Sequence, residues 1–158
     1  MSYVIKALGG ADVEVLKQLL KVFGEAFGDL DAYQSAVPAD GYLRSLLDGP
    51  TFIAVAALDG DDVVGGLAAY QLDKFEQERR EIYIYDLAVA ESHRRRGIAT
   101  ALITHLKSLA VSRRAYVIYV QADLGDEAAI RLYESLGTRE DVLHFDIAAG
   151  PAPPTPPS

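Results

Sequence analysis

A strand that runs directly into an arginine- and glycine-bearing turn, and then into a helix, is the feature that most constrains this chain. Alternating apolar residues predict the strand over residues 81–89, and apolar residues at helical spacing resume at Ile98. The first amides of a helix have no internal partner and lie at the positive end of the helix dipole. Gly97 and the small Ala99 allow a ligand to approach the backbone closely, and Arg94-Arg95-Arg96 adds positive charge. The turn therefore predicts a site for the phosphates of a ligand.

The same turn has a simpler interpretation as a solvated basic loop. Three consecutive arginines in a chain of 158 residues with formal net charge −8 favour an anionic ligand over that interpretation. The spacing matches neither a dinucleotide-binding fingerprint nor a P-loop lysine motif. A nucleoside-triphosphate enzyme is therefore disfavoured.

The remaining pattern predicts an α/β fold with a mixed sheet and helices on both faces. Strands are predicted at residues 3–8, 51–58, 63–70, 81–89, 116–120 and 140–147. Helices are predicted near Asp12, after Pro38, from Ile98, and over residues 126–136. One domain is expected over residues 1–149. Residues 150–158 are proline-rich and can join neither a helix nor a sheet, so a disordered tail is expected.

Composition limits the function further. The chain has no cysteine, which excludes disulfides, thiolate zinc sites and a thioester-forming nucleophile. Its three histidines lack ligand spacing, so no metal site is predicted. The excess of 23 acidic over 15 basic residues argues against nucleic acid and suits a cationic ligand, or serves solubility alone. Neither an apolar span of about 20 residues nor a signal peptide is apparent, so a cytoplasmic protein without membrane contact is expected.

A second segment carries a candidate functional tyrosine. Asp126, Ala129 and Leu132-Tyr133 precede Leu136-Gly137 on the predicted helix. Tyr133 is either a packing residue or a hydroxyl that points towards the anion site, and its spacing alone does not distinguish these roles.

Arg94-x-x-Gly97-x-Ala99 resembles the pyrophosphate motif of the Gcn5-related N-acetyltransferases, and the segment around Tyr133 resembles that superfamily's second cofactor motif. Longer blocks, at residues 51–54, 74–77, 81–89, 93–95, 97–103, 116–123 and 144–147, resemble the class I aminoglycoside 3-N-acetyltransferases of the gentamicin and fortimicin type. The resemblance implies a single-domain Gcn5-related fold, often dimeric, that transfers acetyl from acetyl-CoA to the 3-amine of 2-deoxystreptamine. Asp126 stands where the motif usually has Asn, and Thr138 where it usually has an aromatic residue.

The motifs and the resemblance together assign residues to acetyl-CoA. The residues expected to bind it are Leu87, Val89, Arg94, Arg95, Arg96, Gly97, Ile98, Ala99, Thr100, Asp126, Ala129 and Tyr133. The resemblance implies that the Leu87 and Val89 amides hold the pantetheine arm and that Tyr133 protonates the departing thiolate.

A direct transfer needs a base, because alkylammonium pKa values lie near ~10. Asp86 is the first candidate and Glu81 the second. In a regular strand Asp86 would share a face with Ile82 and Ile84, and burial among them would raise its pKa; a bulge, common in the superfamily, would change that face. Asp86 binding the acceptor or capping a turn is the alternative. A backbone amide near Leu87 is expected to stabilise the developing oxyanion.

A polycationic acceptor needs several carboxylates, which loops and strand ends supply. Asp123 and Asp146 are the first candidates, and the other carboxylates are Glu140, Asp141, Asp29 and Asp31. Tyr33 is expected to line the same pocket. Two other functions stay open: an acetyltransferase for another amine, such as a polyamine, an amino sugar or a protein amine, and a non-catalytic acyl-CoA-binding module.

Overall fold

Five strands form one mixed sheet in the order β1-β2-β3-β4-β5. The computed structural model describes residues 2–151 and has these strands as β1 (Val4–Ala7), β2 (Phe52–Asp59), β3 (Asp62–Asp73), β4 (Arg80–Val89) and β5 (Ala115–Val120). The first four run antiparallel, and β5 is parallel to β4. A two-residue turn joins β2 to β3, whereas the parallel pair needs a helical crossover.

Residues 2–151 form five α-helices: α1 (Val13–Ala26), α2 (Leu30–Gln34), α3 (Asp40–Asp48), α4 (Ile98–Ser112) and α5 (Glu127–Leu136). Single 3-10 turns occur at Gly10–Asp12 and Glu91–His93. Helical spacing of apolar residues predicted α1, α3, α4 and α5. It missed α2, because five residues are too short to display a helical period.

Adjacent glycines in β3 show that helices cover both faces of the sheet. A Cβ on Gly66 would lie 2.5 Å from Leu19 of α1, whereas a Cβ on Gly65 would lie 3.4 Å from Ile98 of α4. Because neighbouring residues of a strand point to opposite faces, α1 and α4 lie on opposite sides. The predicted mixed α/β fold with helices on both faces is confirmed.

The face of the sheet that α1 covers is called here the α1 face. Its apolar core contains residues of α1 and of three strands. Val13, Leu16, Leu19 and Phe23 of α1 pack with Phe52, Ala54, Ala68 and Ala88 of the sheet, together with Leu43 and Leu47 of α3. This apolar cluster fixes the face of β3 and β4 that the functional residues share.

The chain divides into two compact units, Met1–Asp123 and Leu124–Ser158. The first contains the sheet and helices α1 to α4. Among the described residues of the second unit, α5 is the only helix or strand. The strand predicted over residues 140–147 is not formed. A strand is defined by a hydrogen-bonded neighbour, and this unit supplies none within residues 124–151.

Two further observations concern the described residues. None of the helices within residues 2–151 has the length and apolar character needed to cross a bilayer. Most of the predicted proline-rich tail, from residue 152 onward, lies outside the described residues.

The close approach at Gly66 yields a stability prediction. Gly66→Ala places a Cβ 2.5 Å from Leu19 Cδ1 and 2.8 Å from the Val55 carbonyl oxygen, so backbone must shift. We expect the free energy of unfolding, measured by urea denaturation, to fall by about 1–3 kcal/mol. The control is Gly41→Ala in α3, where a Cβ meets no atom within 4 Å; its stability should hold or rise by up to about 1 kcal/mol. Equal losses in both variants would contradict this packing account.

Candidate active site

Strands β4 and β5 diverge before β4 ends. Their pairing runs from Arg80↔Ala115 to Ile84↔Val120 and stops there. β4 continues to Val89, paired with β3 as far as Gly65↔Val89. Within the Met1–Asp123 unit, residues 85–89 therefore have one edge without a strand partner. We call this edge the open edge.

The direction of one hydrogen bond identifies the amides on the open edge. Ala90 N donates to Val64 O at 2.8 Å, on the β3 side. Because alternate residues of a strand point their backbone groups the same way, Leu87 and Val89 direct theirs to the open edge. Arg94 Nε donates to Val89 O at 3.2 Å, which agrees with that direction. These are the two residues that the resemblance assigns to the pantetheine arm, and their binding role stays a prediction.

The turn before α4 has the geometry of an anion site. Gly97 precedes the helix with φ +75°, a conformation that favours glycine, and as the N-cap residue it has no side chain to cap the first turn. A Cβ added at Gly97 would meet no atom within 4 Å, so the space beside the helix end is clear. Arg94, Arg95, Arg96 and Thr100 are exposed and Ala99 is partly buried. Ile98 is 2% exposed, so its side chain belongs to the core and its backbone alone is available to a ligand.

A β-bulge decides which way Asp86 points. Ala68 pairs with Asp86 and Ala69 with Ile84, which leaves Tyr85 as an extra residue in β4. Asp86 therefore lies opposite Ala68, on the α1 face. Of the two alternatives that the sequence left open, the structure has the bulged strand: the extra residue reverses the alternation after Ile84, so Asp86 does not share the face of Ile82 and Ile84.

Asp86 is a partly buried carboxyl group with one hydrogen bond from a side chain. Burial raises its pKa above the usual range, and a hydrogen bond from Tyr33 opposes that rise. The Tyr33 hydroxyl donates to Asp86 Oδ1 at 3.3 Å. A carboxylate with a raised pKa binds a proton more readily than a solvated one, which suits a general base.

Tyrosines surround the Asp86 position. Tyr85 contacts Tyr70 and Tyr83 edge to face, with ring centroids 6.0 and 5.6 Å apart, and Tyr83 stacks on Tyr119 at 4.6 Å. The Tyr83 hydroxyl donates to Gln121 Oε1 at 3.0 Å. The sequence analysis did not identify this aromatic wall. Its only signal was the recurrence of tyrosine in three predicted strands, at residues 63–70, 81–89 and 116–120.

Glu81, the second candidate base, is engaged near the other end of β4. The Tyr116 hydroxyl donates a hydrogen bond to Glu81 Oε2, and Lys74 Nζ lies 3.8 Å from the same oxygen. These partners satisfy the carboxylate, so the geometry favours Asp86 as the base.

Carboxylates also line a cavity of about 300 Å³ where α1 meets α2. Asp29 and Asp31, both proposed from the sequence, contribute to it together with Glu25, which the sequence analysis missed. Asp29 Oδ1 also accepts from Ala32 N at 3.3 Å and so caps α2. Asp123 is exposed, three residues beyond β5.

The remaining candidates belong to the Leu124–Ser158 unit. Asp126 caps α5 by accepting from Ala129 N at 3.2 Å, which occupies that amide. Burial and the Asp126 charge raise the pKa of Tyr133. Asp141 forms an ion pair with Arg139 at 2.7 Å, and Asp146 pairs with His144 at 2.9 Å. Glu140 is exposed.

A mixed sheet with a diverging strand pair and an open phosphate turn defines an acetyltransferase of the Gcn5-related class. The chain belongs to the Acetyltransferase (GNAT) family, whose model matches residues 16–138. The superfamily membership expected from the two motifs is confirmed.

Two solved structures and one curated relative show the similarity in detail. An aminoglycoside acetyltransferase from an uncultured soil metagenomic sample is 56% identical, with TM-score 0.93, over 95% of this chain and 100% of that chain. A second such enzyme, in complex with sisomicin, is 30% identical, with TM-score 0.86, over 94% and 97% of the two chains. Streptothricin acetyltransferase of Streptomyces lavendulae is 32% identical over 119 residues. That match covers 75% of this chain and 56% of the relative, so the chain spans little more than half of its length.

The raised pKa of Asp86 predicts a pH-dependent gain in stability on its replacement. The pKa of the Asp86 carboxyl group is raised in the folded protein. Its contribution to the free energy of unfolding is therefore fully present below the unfolded pKa of about 3.9, and it is lost as the pH rises through the folded pKa. Asp86→Asn has no ionisable group at this position, so it does not lose this free energy of unfolding as the pH rises. Its unfolding free energy, measured by urea denaturation, should therefore rise relative to the unmodified protein between about pH 4 and pH 7.

The control for removal of one negative charge is Asp61→Asn, an exposed residue of the β2–β3 turn. A gain for Asp86→Asn no larger than that of the control would contradict the burial cost.

Proposed function

We propose that this protein transfers the acetyl group of acetyl-CoA to the 3-amino group of a 2-deoxystreptamine aminoglycoside and so inactivates the antibiotic. The observation that carries the proposal is Asp86, a partly buried carboxylate placed by a bulge beside the open edge of β4. The 56% identity to an aminoglycoside acetyltransferase supports the acceptor class. The choice of the 3-amine rests on the resemblance of the sequence blocks.

The residues present fit acetyl-CoA as the donor. Gly97 leaves clear space at the start of α4, and Arg94, Arg95 and Arg96 supply positive charge for the phosphates. The Leu87 and Val89 amides on the open edge are suited to the carbonyl groups of the pantetheine arm. When bound, acetyl-CoA supplies an activated acetyl group as its thioester.

Asp86 acts as the general base in this proposal. It takes a proton from the acceptor ammonium, directly or through water, and frees the nitrogen lone pair for attack on the thioester carbonyl. A solvated carboxylate would be a poor base for this step. Burial corrects that by raising the Asp86 pKa.

Two further groups complete the chemistry. A backbone amide near Leu87 donates to the oxyanion that develops on the carbonyl oxygen. Tyr133 donates a proton to the departing thiolate. Because the chain has no cysteine, the acetyl group passes to the amine without an enzyme thioester.

Acidic residues would recognise the other ammonium groups of the acceptor. The set comprises Asp29 with its cavity neighbours Glu25 and Asp31, and the carboxylates Asp123, Glu140, Asp141 and Asp146. The formal charge of −8 attracts a polycation over longer range. Acetylation converts one ammonium group of the acceptor into a neutral amide and so removes one of its positive charges.

The decisive experiment is free-thiol release from acetyl-CoA with gentamicin, a 3-N-blocked gentamicin, spermidine and a short peptide. Release with gentamicin but not with the blocked analogue is the expected result. Tyr133→Phe assayed alongside should lower turnover far more than acetyl-CoA affinity, because only a hydroxyl is lost. Release with spermidine or peptide alone would move the acceptor to another amine. Acetyl-CoA binding without release for any acceptor would indicate an acyl-CoA-binding module.

The phosphate turn has a test with a matched glycine. Gly97→Ala and Gly60→Ala both place a Cβ at positive φ, +75° and +62°, with no atom within 4 Å of it. Each should lower stability by about 1–2 kcal/mol. Only Gly97→Ala should weaken acetyl-CoA binding, by about tenfold or more in titration calorimetry, because its methyl group occupies the space that the phosphates need. Equal affinities for the two variants would remove Gly97 from the donor site.

A further inference from the structure

The short helix α2 brings a second side chain to the candidate base. Tyr33 lies 53 residues before Asp86 in the chain, and its hydroxyl donates to Asp86 Oδ1 at 3.3 Å. No other hydrogen bond to this carboxylate is formed within residues 2–151. One carboxylate oxygen is therefore held by α2, and Oδ2 is left to exchange a proton.

A tight helix end places α2 where Tyr33 can reach the sheet. Gly28, at φ +66°, ends α1, and Asp29 N donates back to Gly24 O at 2.8 Å, which turns the chain sharply. α2 then passes so close to α1 that a Cβ on Gly24 would lie 3.1 Å from Leu30 Cδ2 and 3.2 Å from Tyr33 Cβ. The absence of a side chain at Gly24 is what allows this approach.

Aromatic contacts hold the Tyr33 ring in place. Its centroid lies 6.2 Å from that of Phe23 and 5.9 Å from that of Phe27, and those two rings stack at 5.8 Å. Phe23 belongs to the buried core of the α1 face. The hydroxyl therefore extends from a packed ring rather than from a free surface side chain.

We propose that Tyr33 is a positioning residue for Asp86: its hydroxyl orients the carboxylate and stabilises the ionised form that accepts the proton of the acceptor amine. The inference rests on the proposed role of Asp86 as the base. It replaces the earlier expectation that Tyr33 contacts the acceptor. In the transfer step, an N–H bond of the ammonium breaks, its proton passes to Asp86 Oδ2, and the freed lone pair forms the new N–C bond to the thioester carbonyl. The C–S bond breaks, the thiolate leaves and takes a proton from Tyr133, and the nitrogen loses its second proton to water.

Protonation favours this role over the working pH range. Burial, followed by the Asp86 charge, raises the pKa of Tyr33 to about 12, so the hydroxyl remains a donor. The other groups that interact with the Asp86 charge are the Tyr70 phenol from β3 and the Tyr83 phenol from β4. Within the described residues no basic side chain contributes to the pKa of Asp86. The acid limb of the pH profile therefore reports on Asp86 and its hydrogen bond.

The first test is the pH dependence of kcat/KM in Tyr33→Phe. Loss of the hydrogen bond raises the pKa of Asp86, so the acid limb should move to higher pH. At pH values below the acid limb, the loss of kcat/KM in Tyr33→Phe relative to the unmodified protein should be about three- to tenfold larger than the loss on the plateau. The acceptor KM should change little. The control is Tyr70→Phe. This variant also removes a phenol near Asp86, but the Tyr70 phenol forms no hydrogen bond to Asp86, so the acid limb of Tyr70→Phe should not move. A raised KM with an unmoved limb would make Tyr33 an acceptor contact. A uniform fall at every pH would make it structural. Either result overturns the proposal.

A second measurement needs no acceptor. Carbon-13 NMR of the Asp86 carboxyl should show titration at higher pH in Tyr33→Phe than in the unmodified protein. Gly24→Ala leaves every group of the site in place, but its Cβ would lie 3.1 to 3.2 Å from Leu30 and Tyr33, so a small displacement of α2 is expected to move the Asp86 titration the same way. An unmoved titration in Tyr33→Phe overturns the proposal. If the proposed function fails, the unmodified protein shows no thiol release with gentamicin, whereas this NMR comparison still decides the Tyr33–Asp86 coupling.

Discussion

The extra residue at Tyr85 is the constraint on which the candidate site depends. It reverses the alternation of β4, so that Asp86 faces α1 rather than the α4 side of the sheet. From the same point onward β4 has no pairing with β5, which exposes the backbone of residues 85–89. The bulge that orients Asp86 and the unpaired edge of β4 therefore begin at the same point of the strand, and bulges are common next to active sites.

The site retains features that oppose stability. Asp86 is a carboxylate partly removed from water, Gly97 holds a left-handed conformation, and the N-cap position of α4 is a glycine, which has no side chain to cap the helix. The cluster of apolar residues between α1 and the sheet offsets these costs, since it buries large side chains such as Leu19 and Phe23. Proteins commonly keep such strained or uncapped features where a ligand supplies the missing partner.

Residue types in the sequence predicted a phosphate site at the turn before α4 and favoured Asp86 over other carboxylates as the base, and both roles stay predictions. The residue types were not sufficient to identify the neighbours of Asp86. Tyr33 lies on a five-residue helix without detectable period, and Glu25 reads as an ordinary solvated charge of α1. The strand expected over residues 140–147 failed for a related reason: an alternating pattern indicates suitability for a sheet but does not specify a pairing partner.

The sequence by itself determined the elements whose geometry is local. Helical spacing predicted α1 and α4, alternation predicted β4, and a glycine after consecutive arginines predicted the open helix end, because each depends on residues adjacent in the chain. Only the tertiary structure decided the orientation of Asp86, its hydrogen bond to Tyr33 across 53 residues, and the open edge of β4. These depend on strand register and helix packing, which arise from long-range burial of apolar surface rather than from any local pattern.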